Sequence, residues 1–195
     1  MQSNVDMETF VIELLKNKLP SYYHYHNCEH TLYVMEKAVE IGKHENCTET
    51  EIELVRTAAL WHDAGCINKY TGHEEESCLL AQRYMPTYGY PADEINKVCG
   101  MIRATKTPQS PTNKLEEIVA DADLEYLGTD SVVTKAHDLF RELQHLNPLL
   151  TEEEWNRVQI AFLQKHKYFT RFCKENRVTA KAEYLNSLMN NNSRQ

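Results

Sequence analysis

Apolar residues recur along almost the whole chain at the three- and four-residue steps of an α-helix. No segment shows the alternation of period two that marks a half-buried strand. The stretch that contains Ile52, Val55 and Ala59 is one example, with its apolar side chains at steps of three and four. Because this spacing places apolar groups along one side of a helix, the sequence predicts an all-α fold whose helices bury these stripes against one another.

Capping residues and prolines divide this pattern into separate helices. Thr48 with Glu51, and Thr151 with Glu154, form capping boxes, and Pro91 suits the first turn of a helix. The predicted helices cover residues 6–19, 28–44, 48–63, 74–84, 91–105, 114–127, 131–144, 151–168 and 179–189. The sequence shows no internal repeat and no long linker. A single domain is therefore expected over residues 1–189, followed by a flexible tail at residues 190–195.

Charge and cysteine content exclude several classes of protein. The net charge of −8 disfavours binding to nucleic-acid polymers or to anionic membranes, because both need concentrated lysine and arginine. The cysteines lack zinc-binding spacing, the N-terminal residues lack the pattern of a signal peptide, and no apolar run is long enough to span a membrane. A cytoplasmic protein with reduced thiols is expected, and the oligomeric state stays open.

One adjacent pair, His62 and Asp63, offers a nitrogen and an oxygen ligand from a single turn of the chain. With His30 upstream and one aspartate downstream, the set comprises two imidazoles and two carboxylates, which can hold a divalent cation and leave positions for water. His62 continues the apolar stripe of the third predicted helix, and His30 belongs to the stripe of the second. Both imidazoles are therefore predicted to face the interior.

Two aspartates compete for the fourth position in this set. Asp123 shares a stripe with apolar residues at steps of four, whereas Asp121 aligns with Glu117 and Glu125 on a face that is predicted to be exposed. Asp123 is therefore the predicted ligand. A carboxylate on an apolar stripe has to be paired, protonated or bound to metal. Ordinary core histidines and a helix-ending His-Asp pair would also account for the pattern.

Three segments, taken in order, resemble the motifs of the HD-domain superfamily of metal-dependent phosphohydrolases. They are residues 25–31, 60–65 and 121–128, which read YHNCEHT, LWHDAG and DADLEYLG. The resemblance is strongest to a bacterial subgroup of small HD hydrolases that open with Tyr-His-Asn-x-x-His. A His-Asp pair alone is a weak signal, but three motifs in order are a strong one. The resemblance implies an all-α, single-domain HD-type helical bundle.

The same resemblance implies a ligand set. It makes His30, His62, Asp63 and Asp123 the ligands of a divalent metal ion, in agreement with the helical stripes. Mn²⁺, Mg²⁺, Fe²⁺ and Co²⁺ are the candidate ions. Binuclear members of the superfamily use additional histidines between the His-Asp pair and the last aspartate, where this chain has only His73. One tightly held ion is therefore favoured, and a second, weaker ion stays open.

The activity that the resemblance implies is hydrolysis of a phosphate ester or phosphoanhydride of a small molecule, with a nucleotide as the favoured substrate. A bound cation lowers the pKa of its water from about 15.7 towards about 7, which makes hydroxide available at neutral pH. Asp63 is expected to orient the nucleophile. Glu74 is the candidate general acid, although a glutamate at that position equally suits the N-terminus of a helix.

Substrate contacts are expected around the mouth of such a site. The candidate substrate-binding residues are His26, Asn27, Lys69, His73, Arg103 and Lys106. The lysines and the arginine equally suit solvated surface positions. The histidines outside the motifs are predicted to be surface residues, and they are His44, His137, His145 and His166.

Two other functions use the same residues. In one, the metal stabilises a nucleotide-binding or regulatory module that has little turnover. In the other, two irons support oxidation of a substrate, as in some members of the wider superfamily, but the shortage of further histidines disfavours this function. Nothing in the sequence identifies the base, the sugar or the number of phosphates of a substrate.

Overall fold

The computed structural model describes residues 6–192, and α-helices dominate it without a strand in that range. The all-α prediction is therefore confirmed. The helices in chain order are α1 (Met7–Lys18), α2 (Cys28–His44), α3 (Glu49–Trp61), α4 (His73–Tyr84), α5 (Ala92–Thr105), α6 (Lys114–Asp123), α7 (Val132–Leu146), α8 (Glu152–Lys165), α9 (Arg171–Asn176) and α10 (Val178–Asn192). Short 3-10 helices lie at Ala64–Ile67, Met85–Tyr88 and Glu125–Gly128. Within the described range, no helix has the length and apolar character needed to cross a membrane.

Polar caps fix the starts of the helices that carry the first candidate ligands. The Thr48 hydroxyl accepts a hydrogen bond from the Glu51 N–H, and the Glu51 carboxylate accepts one from the Thr48 N–H at 2.8 Å. The second predicted capping box, at the start of α8, is also present. Asn27 caps α2 by accepting a hydrogen bond from the His30 N–H at 3.0 Å. These bonds satisfy backbone donors that a helix start leaves unpaired.

Several helix ends differ from the predicted boundaries. Pro91 is the N-cap of α5 rather than a residue of its first turn. α6 ends at Asp123, and a 3-10 helix follows where the sequence predicts a continuous helix to residue 127. The six-residue helix α9 is too short to show a hydrophobic period, so the sequence does not predict it. α10 continues to Asn192, and the last three residues of the predicted tail lie outside the described residues.

The main hydrophobic core lies among helices α1 to α6. Its fully buried side chains include Trp61, Ile41 and Ile118, from α3, α2 and α6. Full burial of one large apolar side chain stabilises a fold by about 1.5–3 kcal/mol. α2 packs against both α3 and α6. This packing brings the N-terminus of α2 close to the C-termini of α3 and α6.

A second, smaller hydrophobic cluster joins the 3-10 helix Glu125–Gly128 to the C-terminal helices. Its buried members are Tyr25, Leu124, Tyr126, Leu127, Val132 and Leu163. α10 packs against α8 and against this 3-10 helix. The C-terminal end of α6 lies between the two clusters, because Ala122 belongs to the main core and Leu124 to the smaller cluster.

Candidate metal centre

The chain turns at the end of α3, and this turn carries His62 and Asp63, which are 1% and 5% exposed. The His62 Nδ1 atom lies 2.7 Å from the carbonyl oxygen of Ala59, which can only accept a hydrogen bond. The proton of a neutral His62 ring therefore sits on Nδ1. His62 Nε2 then presents a lone pair to the interior, as a metal ligand does.

His30 and Asp123 meet this turn from α2 and α6. The Nε2 atoms of His30 and His62 are 3.4 Å apart. His30 Nε2 lies 3.1 Å from an Asp123 oxygen and 3.5 Å from Asp63 Oδ2. His62 Nε2 lies 3.1 Å from the same Asp63 oxygen. The structure thus brings together the four residues that the sequence predicts as ligands.

The arrangement of these four side chains fits a divalent cation. Two imidazole nitrogens and two carboxylates face a common centre, and none of the four side chains is more than 14% exposed. Among the residues that the structure describes, Asp63 Oδ2 is a buried oxygen without a hydrogen-bond partner. A buried carboxylate oxygen in that state is costly. A cation at the centre would satisfy it with the donor set that first-row divalent metals and Mg²⁺ accept.

The electrostatics of the cluster keep both carboxylates anionic at neutral pH. Burial raises the pKa of Asp123, but the nearby His30 and His62 rings outweigh burial and bring that pKa to about 2. Burial also raises the pKa of Asp63, and His62 and His26 overcome it, so this pKa lies well below its ordinary value. Burial lowers the pKa of His30. Against the effect of burial, the two carboxylates raise the pKa of His62 well above its ordinary value, so a cation that binds at this centre replaces a proton on that ring.

His26 and His73 lie on the other side of Asp63. His73 donates its Nδ1–H to the Tyr70 carbonyl at 2.7 Å, so Nε2 carries the lone pair of the neutral ring and lies 3.3 Å from Asp63 Oδ1. His26 Nδ1 bonds to Glu142, which leaves His26 Nε2 available. One ligand atom from each of His26, Asp63 and His73 lies within 4.8 Å of the others. Residues predicted as substrate contacts thus form a second group that can bind a cation.

Gly65 allows the His62–Asp63 turn to touch α4. A Cβ atom at Gly65 would lie 2.1 Å from the His73 carbonyl oxygen and 2.6 Å from the Ser77 nitrogen, so a larger residue does not fit. The Ser77 hydroxyl donates to the His62 carbonyl at 2.7 Å and accepts from the Gly65 N–H at 2.7 Å. This contact places the start of α4, and with it His73, beside Asp63.

Glu142 is a site residue that sequence reasoning missed. This α7 carboxylate is fully buried and accepts hydrogen bonds from the backbone N–H groups of Tyr25 at 2.9 Å and His26 at 3.1 Å, in addition to the His26 ring. It therefore fixes both the backbone and the ring of His26. The available signal was its helical spacing, three residues after the apolar Leu139, but a lone glutamate in a helix is usually solvated.

Glu74 faces the candidate metal centre, whereas the Asn27 side chain is occupied by hydrogen bonds at the start of α2. Glu74 is 9% exposed, and its Oε1 lies 3.8 Å from His73 Nε2. It therefore faces the centre rather than solvent. The Asn27 side chain accepts from the His30 N–H and donates to the His24 carbonyl, so it holds the start of α2. A contact between Asn27 and a substrate stays a prediction.

The three candidate phosphate-binding cations occupy different environments. Lys106 is exposed and lines the cavity that contains the centre. Lys69 lies 3.8 Å from Glu76, and Arg103 bonds to both oxygens of Glu75 at 2.6 and 3.0 Å. Neither Lys69 nor Arg103 is among the described residues of the cavity wall. Only Lys106 therefore has a position from which it reaches a ligand in this cavity directly.

Asp121 and Glu125 are fully buried, so the predicted exposed face is wrong. Asp121 accepts hydrogen bonds from the Phe169 N–H at 3.0 Å, the Thr170 N–H at 2.8 Å and the Thr170 hydroxyl at 2.6 Å. Glu125 forms an ion pair with Arg177. The partners come from the C-terminal part of the chain, which satisfies these carboxylates inside the fold. Asp121 is thus a structural residue that fastens α6 to the segment before α9.

The prediction that His166 is a surface residue is also wrong. Its Nε2 atom is buried, and Lys181 Nζ lies 3.2 Å from its Nδ1 and 2.6 Å from its carbonyl oxygen. Burial, with the nearby Lys181 charge, lowers the pKa of His166 to about 4. His44, His137 and His145 are exposed as predicted. The two basic groups pack together because the segment after α8 folds back against α10.

A cavity of about 500 Å³ borders the candidate centre, whose two carboxylates lie in its wall. The residues of its polar end include His26, Asp63, His73, Glu74 and Asp123. The rest of the wall comes from the 3-10 helix Glu125–Gly128 and from α7, α8 and α10. This volume falls within the range of about 300–1,000 Å³ that is typical of sites for small organic ligands.

An all-α bundle whose His-Asp turn meets one further histidine and one further aspartate defines the HD class of fold. The sequence matches the HD domain family over residues 27–125, slightly more than half of the chain. The protein therefore belongs to the HD domain family. No curated protein sequence matches it.

Solved structures share the fold across nearly the full chain. A predicted HD superfamily hydrolase from an uncultured Thermotogales bacterium is 23% identical, with a TM-score of 0.58 over 93% of this chain and 91% of that one. A protein of Listeria innocua is 18% identical, with a TM-score of 0.59 over 94% and 96% of the two chains. Bacillus subtilis YpgQ, solved in complex with ADP, is 19% identical, with a TM-score of 0.61 over 94% and 96%. At these identities the likeness shows the fold.

Proposed function

We propose that this protein is a metal-dependent phosphohydrolase that cleaves a phosphate ester or phosphoanhydride of a small molecule, with a nucleotide as the favoured substrate. The observation that carries the proposal is the convergence of His30, His62, Asp63 and Asp123 beside a cavity of about 500 Å³. Without a cation, the buried Asp63 Oδ2 oxygen at this point of convergence has no hydrogen-bond partner among the described residues. Membership of the HD domain family supports the same chemistry.

The four converging residues are proposed to hold one tightly bound divalent ion, which is Mn²⁺, Mg²⁺, Fe²⁺ or Co²⁺. When bound, such a cation activates water at neutral pH and polarises a phosphoryl oxygen. His26, Asp63 and His73 are proposed as a second, weaker cation group. The support is that both rings are anchored through Nδ1, so their Nε2 atoms are free to coordinate beside Asp63.

Three side chains are proposed to act on the substrate or the attacking water. Asp63 orients the water, because its Oδ1 atom faces the cavity side that His73 occupies. Glu74 donates a proton to the leaving oxygen. The burial of Glu74 on the cavity wall supports this role. Lys106 binds phosphoryl oxygens, because it is the one lysine or arginine among the described residues of the cavity wall.

Two observations support a nucleotide as the small phosphorylated partner. The Bacillus subtilis neighbour was solved with ADP. Tyr25, Tyr126 and Trp155 line the cavity, and aromatic rings of this kind stack on bases. The net charge of −8 disfavours a nucleic-acid polymer as a partner, and we propose a cytoplasmic location without membrane binding.

The proposal is tested by loading the purified protein separately with each of the four metal ions. Phosphate release is then measured on a panel of phosphomonoesters, nucleotides and cyclic nucleotides. We expect turnover with at least one combination of metal and substrate. In a His62→Ala variant, the rate of phosphate release should fall by more than about a hundredfold, because removing a metal ligand reduces activity more than removing a group that orients a ligand. A His137→Ala variant, altered at an exposed histidine, is the matched control and should keep its activity.

Inactivity with every metal and every substrate would contradict the hydrolase proposal. If metal binding nevertheless raised the unfolding temperature of that inactive protein, the regulatory-module function would replace it. Circular dichroism of each variant distinguishes loss of the site from loss of the fold.

A further inference from the structure

The cavity has two chemically different ends. The polar end contains two of the candidate ligands, Asp63 and Asp123, together with Glu74 and Lys106. The opposite end is formed by α7, α8 and α10, and its side chains include Leu139, Leu143, Trp155, Val158 and Phe162. Leu163 from the smaller hydrophobic cluster and Ala136 extend the same apolar surface. A ligand that fills this cavity therefore meets charge at one end and hydrocarbon at the other.

No charged side chain from α7, α8 or α10 is among the described residues that line the cavity. Gln159 is the one amide there, and it is 8% exposed. Its Oε1 accepts a hydrogen bond from the Tyr184 hydroxyl at 2.7 Å, and its Nε2 donates to Asn156 at 3.2 Å. The amide is thus engaged with protein groups.

These contacts restrict what the apolar end can bind. A charged or hydroxyl-rich group packed against these side chains would lose water from the faces they cover without gaining enough partners, which opposes binding. An apolar group would lose contact with water at little cost and gain dispersion contacts with the leucine and aromatic side chains. The cavity volume of about 500 Å³ also exceeds what a phosphoryl group alone requires, so the cavity has room for an organic group beside it.

Resting on the proposed hydrolysis, we infer that the substrate is a phosphorylated compound whose organic group ends, away from the phosphoryl group, in an apolar or aromatic portion of about the size of an aromatic ring system. Leu143, Val158 and Phe162 are assigned as residues that determine this specificity. They bind the organic group through apolar contact, while the phosphoryl group lies at the candidate metal centre. Sugar phosphates that lack such an apolar or aromatic portion are correspondingly poor ligands.

The first test uses phosphate monoesters of primary alcohols, so that the leaving oxygens have similar chemistry. The esters are ethyl, benzyl, 1-naphthylmethyl and glycerol phosphate, assayed on the metal-loaded protein. We expect kcat/KM to rise about tenfold or more from ethyl to benzyl phosphate and to rise again for the naphthylmethyl ester. Glycerol phosphate should do no better than ethyl phosphate. Equal kcat/KM values across the series would overturn the inference.

The second test locates the preference on α8. Val158 lines the cavity and is 53% exposed, so a Val158→Asn variant should fold. Its ratio of kcat/KM for naphthylmethyl over ethyl phosphate should fall at least about threefold. The matched control is Val133→Asn, because Val133 is 63% exposed on α7 and is not a residue of the described cavity wall. A Val158→Asn variant with an unchanged ratio contradicts the assignment.

A binding experiment separates this inference from the proposed hydrolysis. Benzylphosphonate and methylphosphonate, whose C–P bonds resist hydrolysis, are titrated calorimetrically into the Mn²⁺-loaded protein. We expect benzylphosphonate to bind about tenfold or more tightly. If no ester is cleaved but this preference holds, the hydrolase proposal fails and the ligand class stands. If esters are cleaved but both phosphonates bind equally, the ligand class fails and the hydrolase proposal stands.

Discussion

The N-terminal bundle of α1 to α6 and the C-terminal helices α7 to α10 contribute different side chains to one cavity. The bundle contributes charged groups, including Asp63 and Asp123. The C-terminal helices contribute mainly apolar groups, including Leu139 and Trp155. The HD family match ends at residue 125, before α7 begins. The difference indicates that the family motifs build the polar centre and that the helices beyond them shape the rest of the cavity.

Two buried carboxylates connect these parts. Asp121 in α6 binds the backbone of residues 169 and 170, and Glu142 in α7 binds the backbone of residues 25 and 26. Each connection pairs an anion with N–H donors from the other part of the chain. Variants at these positions therefore test what each connection between the two parts contributes. Asp121→Ala is expected to change the stability of the fold, and Glu142→Gln is expected to have a smaller effect, on metal affinity.

The largest effect on stability is expected for Asp121→Ala. The substitution leaves the Phe169 and Thr170 donors without their acceptor, and hydrogen bonds to a charged group are among the stronger ones. We expect the free energy of unfolding to fall by about 3 kcal/mol, measured by urea denaturation. Mn²⁺ binding should persist in the folded variant, because its ligands lie elsewhere. The exposed Asp130→Ala variant is the control, and a loss no larger than that of the control would refute this role.

A smaller effect is expected from pH acting on His166. Its folded pKa of about 4 lies below the ordinary value of 6.5, so the unfolded chain takes up the proton first. Stability is therefore fully present above pH 6.5 and is lost as the pH falls towards 4. The loss should be about 2 kcal/mol in the metal-free protein, after allowance for partial exposure.

This pH dependence is measured by denaturation at several pH values with a His166→Gln variant beside the parent protein. The variant should lose less stability across the acid range. A His137→Gln variant, altered at an exposed ring, should behave like the parent. Parallel curves for the parent and His166→Gln would show that His166 does not contribute.

The smallest effect is expected for Glu142→Gln. This variant tests whether a residue of the C-terminal helices supports the candidate metal centre. The neutral amide keeps the size of Glu142 but weakens the hold on the His26 backbone and ring. We expect the proposed weaker cation group to lose about tenfold in Mn²⁺ affinity, as supporting residues of metal ligands usually do. Calorimetric titration should show the tighter group unchanged. An equal loss at both groups, or at neither, would count against a positioning role for Glu142.

Local periodicity predicted the parts of the site that depend on neighbours within one helix. His30 is buried because Val34, Ala38 and Ile41 place its face of α2 in the core. The same reasoning selected Asp123 over Asp121 as the residue that faces the histidines. The helix starts at Asn27 and Thr48 follow from side-chain caps a few residues long. Such features are visible in sequence because the interacting groups are close along the chain.

Contacts between distant segments account for what the sequence did not predict. Glu142 lies 116 residues from the His26 that it binds, and Asp121 lies 48 residues from Phe169. From sequence alone, a lone carboxylate in a helix is assigned to solvent, because its partners are absent from the local pattern. The burial of His166 likewise depends on α10 returning past the end of α8. These positions require the tertiary fold.

The close packing at Gly65 has a mechanical consequence. No flexible side chain separates the turn after α3 from the first turns of α4, since a Cβ atom there would overlap the His73 carbonyl. Tightly packed protein interiors have low compressibility, so the two segments transmit displacement to each other. A displacement of the first turn of α4 would therefore carry the His62–Asp63 turn with it, which would keep the spacing between Asp63 and His73 nearly constant.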